Sequence, residues 1–126
     1  MRAMTFKHTG LTCSSEENAD RFYQQILGLE RQEPKILAAA LSQALFGIEA
    51  EVPIINYVGS AAHFEIFIYD SPEPKPSIDH TCLQVESLPD FLDLCRQNNV
   101  EIQMVPKGNK TITFVKDFDG NSFEIV

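Results

Sequence analysis

Residues 80–84 read HTCLQ, and residues 8–12 read HTGLT. His, Thr and Leu fall at the same places in both. A second echo closes each half of the chain, with FEIF at 64–67 and FEIV at 123–126. Matching openings and matching endings are the mark of an internal duplication, which fixes an architecture more firmly than any one element does. Between these markers each half begins strand–helix and ends in a set of strands. The predicted fold is therefore α+β, a tandem of βαβββ modules in a single domain spanning 1–126. Module one covers about 1–70, a connector 71–77 and module two about 78–126.

The local signals fill in this frame. MTFKHTGLTC (4–13) is predicted as the first strand, and Ser14 with Glu17 has the spacing of a capping box opening a helix. That helix has an apolar face of Ala19, Phe22, Tyr23, Ile26 and Leu27, and Gly28 stands where a left-handed C-terminal residue is wanted. ILAAALSQALFGIEA (36–50) reads as a strand running into a short helix, VPIINYV (52–58) as a strand, and AHFEIFIYD (62–70) as a strand of alternating character. SPEPKPS (71–77) holds three prolines and reads as a stiff connector. IDHTCLQVES (78–87) restarts the pattern. Ser87 and Pro89 open a second helix with a buried stripe of Phe91, Leu92 and Cys95. VEIQMV and KTITFVKD are strands, DFDGN (117–121) is a turn, and SFEIV closes the chain.

The chain's 126 residues fit one domain with a real core. A net charge of −8 argues against nucleic acid or an anionic membrane as the main partner. The longest apolar run, ILAAAL, is far short of a bilayer span, and MRAMTFKHTG lacks the apolar stretch of a signal peptide. Cys13, Cys82 and Cys95 are widely spaced, with no C-x-x-C pair, so neither a disulfide framework nor a thiolate zinc site is expected. These features place the protein in a reducing compartment, the cytoplasm.

Overlaying the halves puts four polar residues in register: His8 with His80, and Glu65 with Glu124. Each His is expected in the first strand of its module and each Glu in the last. Strand alternation puts Glu65 on one face with His63, Phe67 and Tyr69, and Glu124 on one face with Ser122 and Val126. Phe67 and Tyr69 suit a lined cleft better than a plain solvent face. Taken singly, each Glu is an ordinary outward residue of an alternating strand and each His an ordinary surface group; their recurrence across a duplication is what marks them. Two imidazoles and two carboxylates form an N₂O₂ set suited to one divalent ion, Zn, Ni, Fe, Mn or Co.

Other features carry less. His63 is expected at a cleft rim. DFDGNSFE lacks the twelve-residue acidic spacing of a calcium loop. Gly108 reads as a hairpin turn, and Leu45-Phe46-Gly47 as either a lid or an amphipathic cap.

The segments HTGLTCSSEENADRFYQQILGLE, IDHTCLQVES and VKDFDGNSFEIV, in that order and spacing, resemble the vicinal oxygen chelate superfamily. That group includes glyoxalase I, methylmalonyl-CoA epimerase, extradiol dioxygenases and the fosfomycin and bleomycin resistance proteins. The resemblance implies a curved eight-stranded sheet around a metal cleft, with helices packed outside. It implies His8, Glu65, His80 and Glu124 as metal ligands, a set similar to that of glyoxalase I, and Glu124 and secondarily Glu65 as the catalytic proton-abstracting carboxylates. The function so implied is a metal-dependent glyoxalase-like lyase or isomerase, acting on a small substrate that chelates the ion through vicinal oxygens. The alternatives are an Fe(II)-dependent extradiol-type dioxygenase and a non-catalytic protein that binds a small molecule such as an antibiotic. A homodimer is the expected assembly. Basic residues able to hold glutathione cannot be mapped among Arg2, Arg21, Arg31 and Arg96.

Overall fold

The computed structural model describes residues 1–75 and 78–126. The chain divides into two compact units, Met1–Ser71 and Pro72–Val126. Part of the expected connector, Pro76 and Ser77, lies outside the described residues. Nine strands form among the described residues, in one sheet of five and one of four.

The second unit shows the plan in its simplest form. Strand β6 (His80–Leu83) leads to helix α3 (Leu88–Gln97), then to β7 (Ile102–Lys107), β8 (Lys110–Lys116) and β9 (Ser122–Ile125). Strand order is β6-β9-β8-β7, with β6 parallel to β9 and the remaining pairs antiparallel. Ser87 caps α3 by accepting from the Asp90 amide, with Pro89 in the first turn where its missing N–H costs nothing. Leu92 and Cys95 are buried, while Phe91 is only half-buried. Burial pushes the Cys95 thiol up to about 11, which keeps it an inert packing group.

The first unit repeats the plan with an insertion. Strand β1 (Thr9–Cys13) is followed by α1 (Glu16–Ala19), which continues as a π-helix, Asp20–Ile26. Then come β2 (Glu30–Arg31), β3 (Lys35–Leu37), α2 (Ala39–Phe46), β4 (Val52–Val58) and β5 (His63–Ile68). Strand order is β1-β5-β4-β2, with β3 also paired to β4, and β1 runs parallel to β5. The two short strands β2 and β3 stand where β7 stands in the other unit. The duplication is therefore one of topology as well as of sequence.

Several details differ from the sequence reading. The first strand begins at Thr9, so His8 immediately precedes it. The helix cap is Ser15, which accepts from the Asn18 amide, while Ser14 accepts from the Asn18 side chain. The cap therefore lies one residue later than the Ser14–Glu17 spacing suggested, because adjacent serines offer two equivalent caps. The π-helical turns had no signal in the apolar spacing, since Ala19, Phe22, Tyr23 and Ile26 are buried as an α-helical face would bury them. Gly28 and Gly47 take the left-handed conformation that ends each helix.

A polar brace ties the π-helix to the sheet. The Tyr57 hydroxyl donates to Asp20 at 2.7 Å, and Arg31 donates to the other Asp20 oxygen at 2.6 Å while also pairing with Glu16. Tyr57 is fully buried, and burial together with the Asp20 bond pushes its phenol far above the usual range. Tyr57→Phe removes the donor while leaving Asp20 its arginine. The expected loss is about 1–2 kcal/mol, read as a lower urea midpoint with an unchanged m-value. Unchanged stability would show that the Tyr57–Asp20 bond adds nothing net to the fold.

Candidate metal centre

The site is set by parallel pairing. In the first unit Gly10 stands opposite Glu65 across the β1–β5 pair; in the second, Cys82 stands opposite Glu124 across β6–β9. His8 precedes Gly10 by two residues and His80 precedes Cys82 by two. In both units the His therefore reaches the sheet face that carries the Glu. The opposite face is the packed one. In the first unit Phe64 and Ile66 are buried, and the Tyr23 ring meets Phe64 at 5.4 Å and Tyr57 at 5.6 Å. In the second, Val115, Phe123 and Ile125 are buried.

The outcome is two equivalent pairs. His8 Nε2 lies 3.7 Å from Glu65 Oε1, and His80 Nε2 lies 3.9 Å from Glu124 Oε1. Both separations are longer than a hydrogen bond. Two donors that each sit about 2.0–2.2 Å from one ion can be at most about 4.4 Å apart. Both separations fall within that span, and side chains 27–42% exposed leave these atoms accessible. Among the described residues, no group of three or more His, Cys, Asp or Glu side chains is gathered for a metal; the donors come in twos.

The neighbours support a ligand role. His80 Nδ1 lies 2.9 Å from the Ile78 carbonyl. A carbonyl can only accept, so Nδ1 carries the proton and the Nε2 lone pair is left for a ligand. His80 also meets the Phe114 ring edge-to-face at 5.1 Å, which limits its rotation. Phe114 is the residue opposite Glu124 on β8. The turn before β9 is held by Asp117, whose Oδ1 accepts from the amides of Asp119 and Asn121 and whose Oδ2 accepts from the Asn121 side chain. D-F-D-G-N is thus a hydrogen-bonded turn that sets the start of β9. Its buried acid is occupied by N–H donors, so it is no calcium loop.

The equivalent surroundings in the first unit are more polar. Asn56 faces Glu65 across β4–β5, is 9% exposed, and its Oδ1 lies 2.7 Å from His63 Nε2. His63 is therefore a half-buried, hydrogen-bonded residue, with its ring 5.4 Å from that of His8. Asn56 was missed from sequence. Its signal is a lone amide in the otherwise apolar run VPIINYV, at the strand position that alternation aims away from the core.

Long-range ¹H–¹⁵N spectra at alkaline pH are expected to show His80 protonated on Nδ1, with Nε2 unprotonated. The opposite tautomer would contradict the assigned ligand atom.

Residues 5–125 match the Glyoxalase/Bleomycin resistance protein/Dioxygenase superfamily. No curated protein matches the sequence. Among solved structures, the chain is similar to a glyoxalase family protein from Enterococcus faecalis, at 19% identity and a TM-score of 0.75 over 96% of this chain and 95% of that one. A glyoxalase family protein from Bacillus cereus gives 13% identity and a TM-score of 0.76, covering 99% and 94%. The fosfomycin resistance protein FosX from Listeria monocytogenes, in a variant solved with Mn(II) and 1S,2S-dihydroxypropylphosphonic acid, gives 17% identity and 0.71, covering 98% and 90%. The βαβββ pattern, the duplicated His–Glu pairs and the full-length match lead to one conclusion: the chain belongs to the glyoxalase/bleomycin resistance/dioxygenase superfamily, the vicinal oxygen chelate proteins.

Proposed function

We propose that the protein is a divalent-metal-dependent, glyoxalase-like lyase or isomerase, with His8, Glu65, His80 and Glu124 as the ligands of one ion. The carrying observation is that each unit brings one His and one Glu together at equivalent positions, 3.7 and 3.9 Å apart, within the span two donors on one cation can have. The ion, when bound, supplies Lewis-acid polarisation to a substrate that offers it two vicinal oxygens. Zn, Ni, Fe, Mn and Co all accept such an N₂O₂ set, and FosX has been solved with Mn(II).

The chain's own residues supply the rest. The two imidazoles bind through neutral nitrogens, so the pair of carboxylates offsets the ion's charge. Glu124 and Glu65 are the acid–base groups: a carboxylate beside the substrate accepts a proton from the carbon next to a carbonyl and returns it to the neighbouring carbon. Phe114 limits the motion of His80, and Asn56 with His63 gives the Glu65 side a polar border. A small-molecule substrate, a cytoplasmic location and a homodimer complete the reading.

Protein purified without a histidine tag is expected to carry about one divalent ion per chain by elemental mass spectrometry. EDTA should lower its melting temperature, since an ion at a hundred times its Kd stabilises by about 2.7 kcal/mol. His80→Ala and Glu124→Gln should each weaken ion binding and shrink the EDTA effect. Metal-free protein whose melting is indifferent to Mn²⁺, Ni²⁺ and Zn²⁺ would end the metal reading.

A further inference from the structure

The first unit's site face carries an apolar half beside its polar one. Glu65, His63 and Asn56 border the polar half. Two residues along the same strand stands Phe67, half-buried, on the same face and opposite Ile54 of β4. A Cβ added to Gly10 would lie 3.3 Å from the Phe67 ring, which places that ring over β1 next to the Glu65 position.

Helix α2 completes the apolar half. Ser42 is its one buried residue among those described, while Leu41, Leu45 and Phe46 remain exposed. A helix that only capped the sheet would bury its large apolar residues. Instead Phe46, at 54% exposure, turns its ring to Phe67, edge-to-face at 5.4 Å. Two aromatic rings thus form a corner open to solvent, next to a His–Glu pair. Neither ring has a polar atom, and the register partner of Ile54 on β3, Lys35, is exposed two strands away from Phe67.

From this geometry, and resting on the metal reading above, we infer that the substrate carries an apolar, aryl-sized substituent next to its chelating oxygens, received by Phe46 and Phe67. Alternate residues of a strand are roughly 7 Å apart. A phenyl ring one or two bonds from oxygens held at Glu65 therefore lands on Phe67. Desolvating such a ring against the two aromatic side chains favours it over a methyl group. Phe46 and Phe67 set specificity; they do not take part in the chemistry.

The test uses two hydroxamates, which differ only in the group beside a pair of vicinal oxygens. Calorimetry on Mn²⁺-loaded protein should show benzohydroxamate binding about tenfold or more tightly than acetohydroxamate. Phe46→Ala should reduce that preference to about threefold or less, and Phe46→Leu should retain most of it. A second readout needs no metal. The fluorine resonance of 4-fluorobenzyl alcohol should broaden with metal-free wild type and stay sharp with Phe46→Ala. Equal hydroxamate affinities, with no effect of Phe46→Ala on either readout, overturn the apolar subsite and leave the metal reading standing. Protein that takes up no Mn²⁺ but shows Phe46-dependent broadening overturns the metal reading and supports the subsite.

Discussion

Parallel pairing of the first strand with the last is the constraint on which both halves of this protein rest. A β-strand shows alternate residues to opposite faces, so a slip of one residue would bring Glu65 or Glu124 into the packed side and expose Phe64 or Phe123. The hydrophobic contacts beneath the sheet, Tyr23 against Phe64 and Tyr57 in the first unit and buried Val115, Phe123 and Ile125 in the second, therefore hold the register that puts each carboxylate beside its imidazole. Core packing and site geometry share one cause.

Much of this was legible because the chain says it twice. HTGLT and HTCLQ, FEIF and FEIV locate equivalent strands, and strand alternation then assigns Glu65 and Glu124 to faces without any coordinates. The turn DFDGN and the caps at Gly28 and Ser87 follow from local chemistry. What escaped the sequence has no periodic signature. The π-helix buries the same side chains as an α-helix does. Adjacent Ser14 and Ser15 cannot be ranked as caps by spacing. The sheet of five exceeds the sheet of four by one strand because β2, two residues long and too short for alternation to register, joins β4 beside β3, the strand expected ahead of the short helix. The brace from Tyr57 to Asp20 joins residues far apart in sequence, and such contacts leave no local trace.

The halves also differ where function would want them to. Beside Glu124 stands Phe114, which leans on His80; beside Glu65 stands Asn56, which bonds His63. The first unit alone has the α2 insertion, ending in exposed Phe46 against Phe67. Duplication accounts for the shared donors, and departure from it for the lining around them. A scaffold that keeps its ligand strands fixed can change substrate through such insertions, because loops and short helices at the sheet's face bear little of the core.

The central claim is that the two His–Glu pairs grip a single ion. Electron spin echo spectroscopy of Mn²⁺-loaded protein measures this most directly, because each imidazole nitrogen bound to the ion modulates the echo. The account predicts modulation from two equivalent-strength nitrogens, falling to one in His8→Ala and in His80→Ala. Modulation from a single nitrogen in the wild type, or from none, would contradict it.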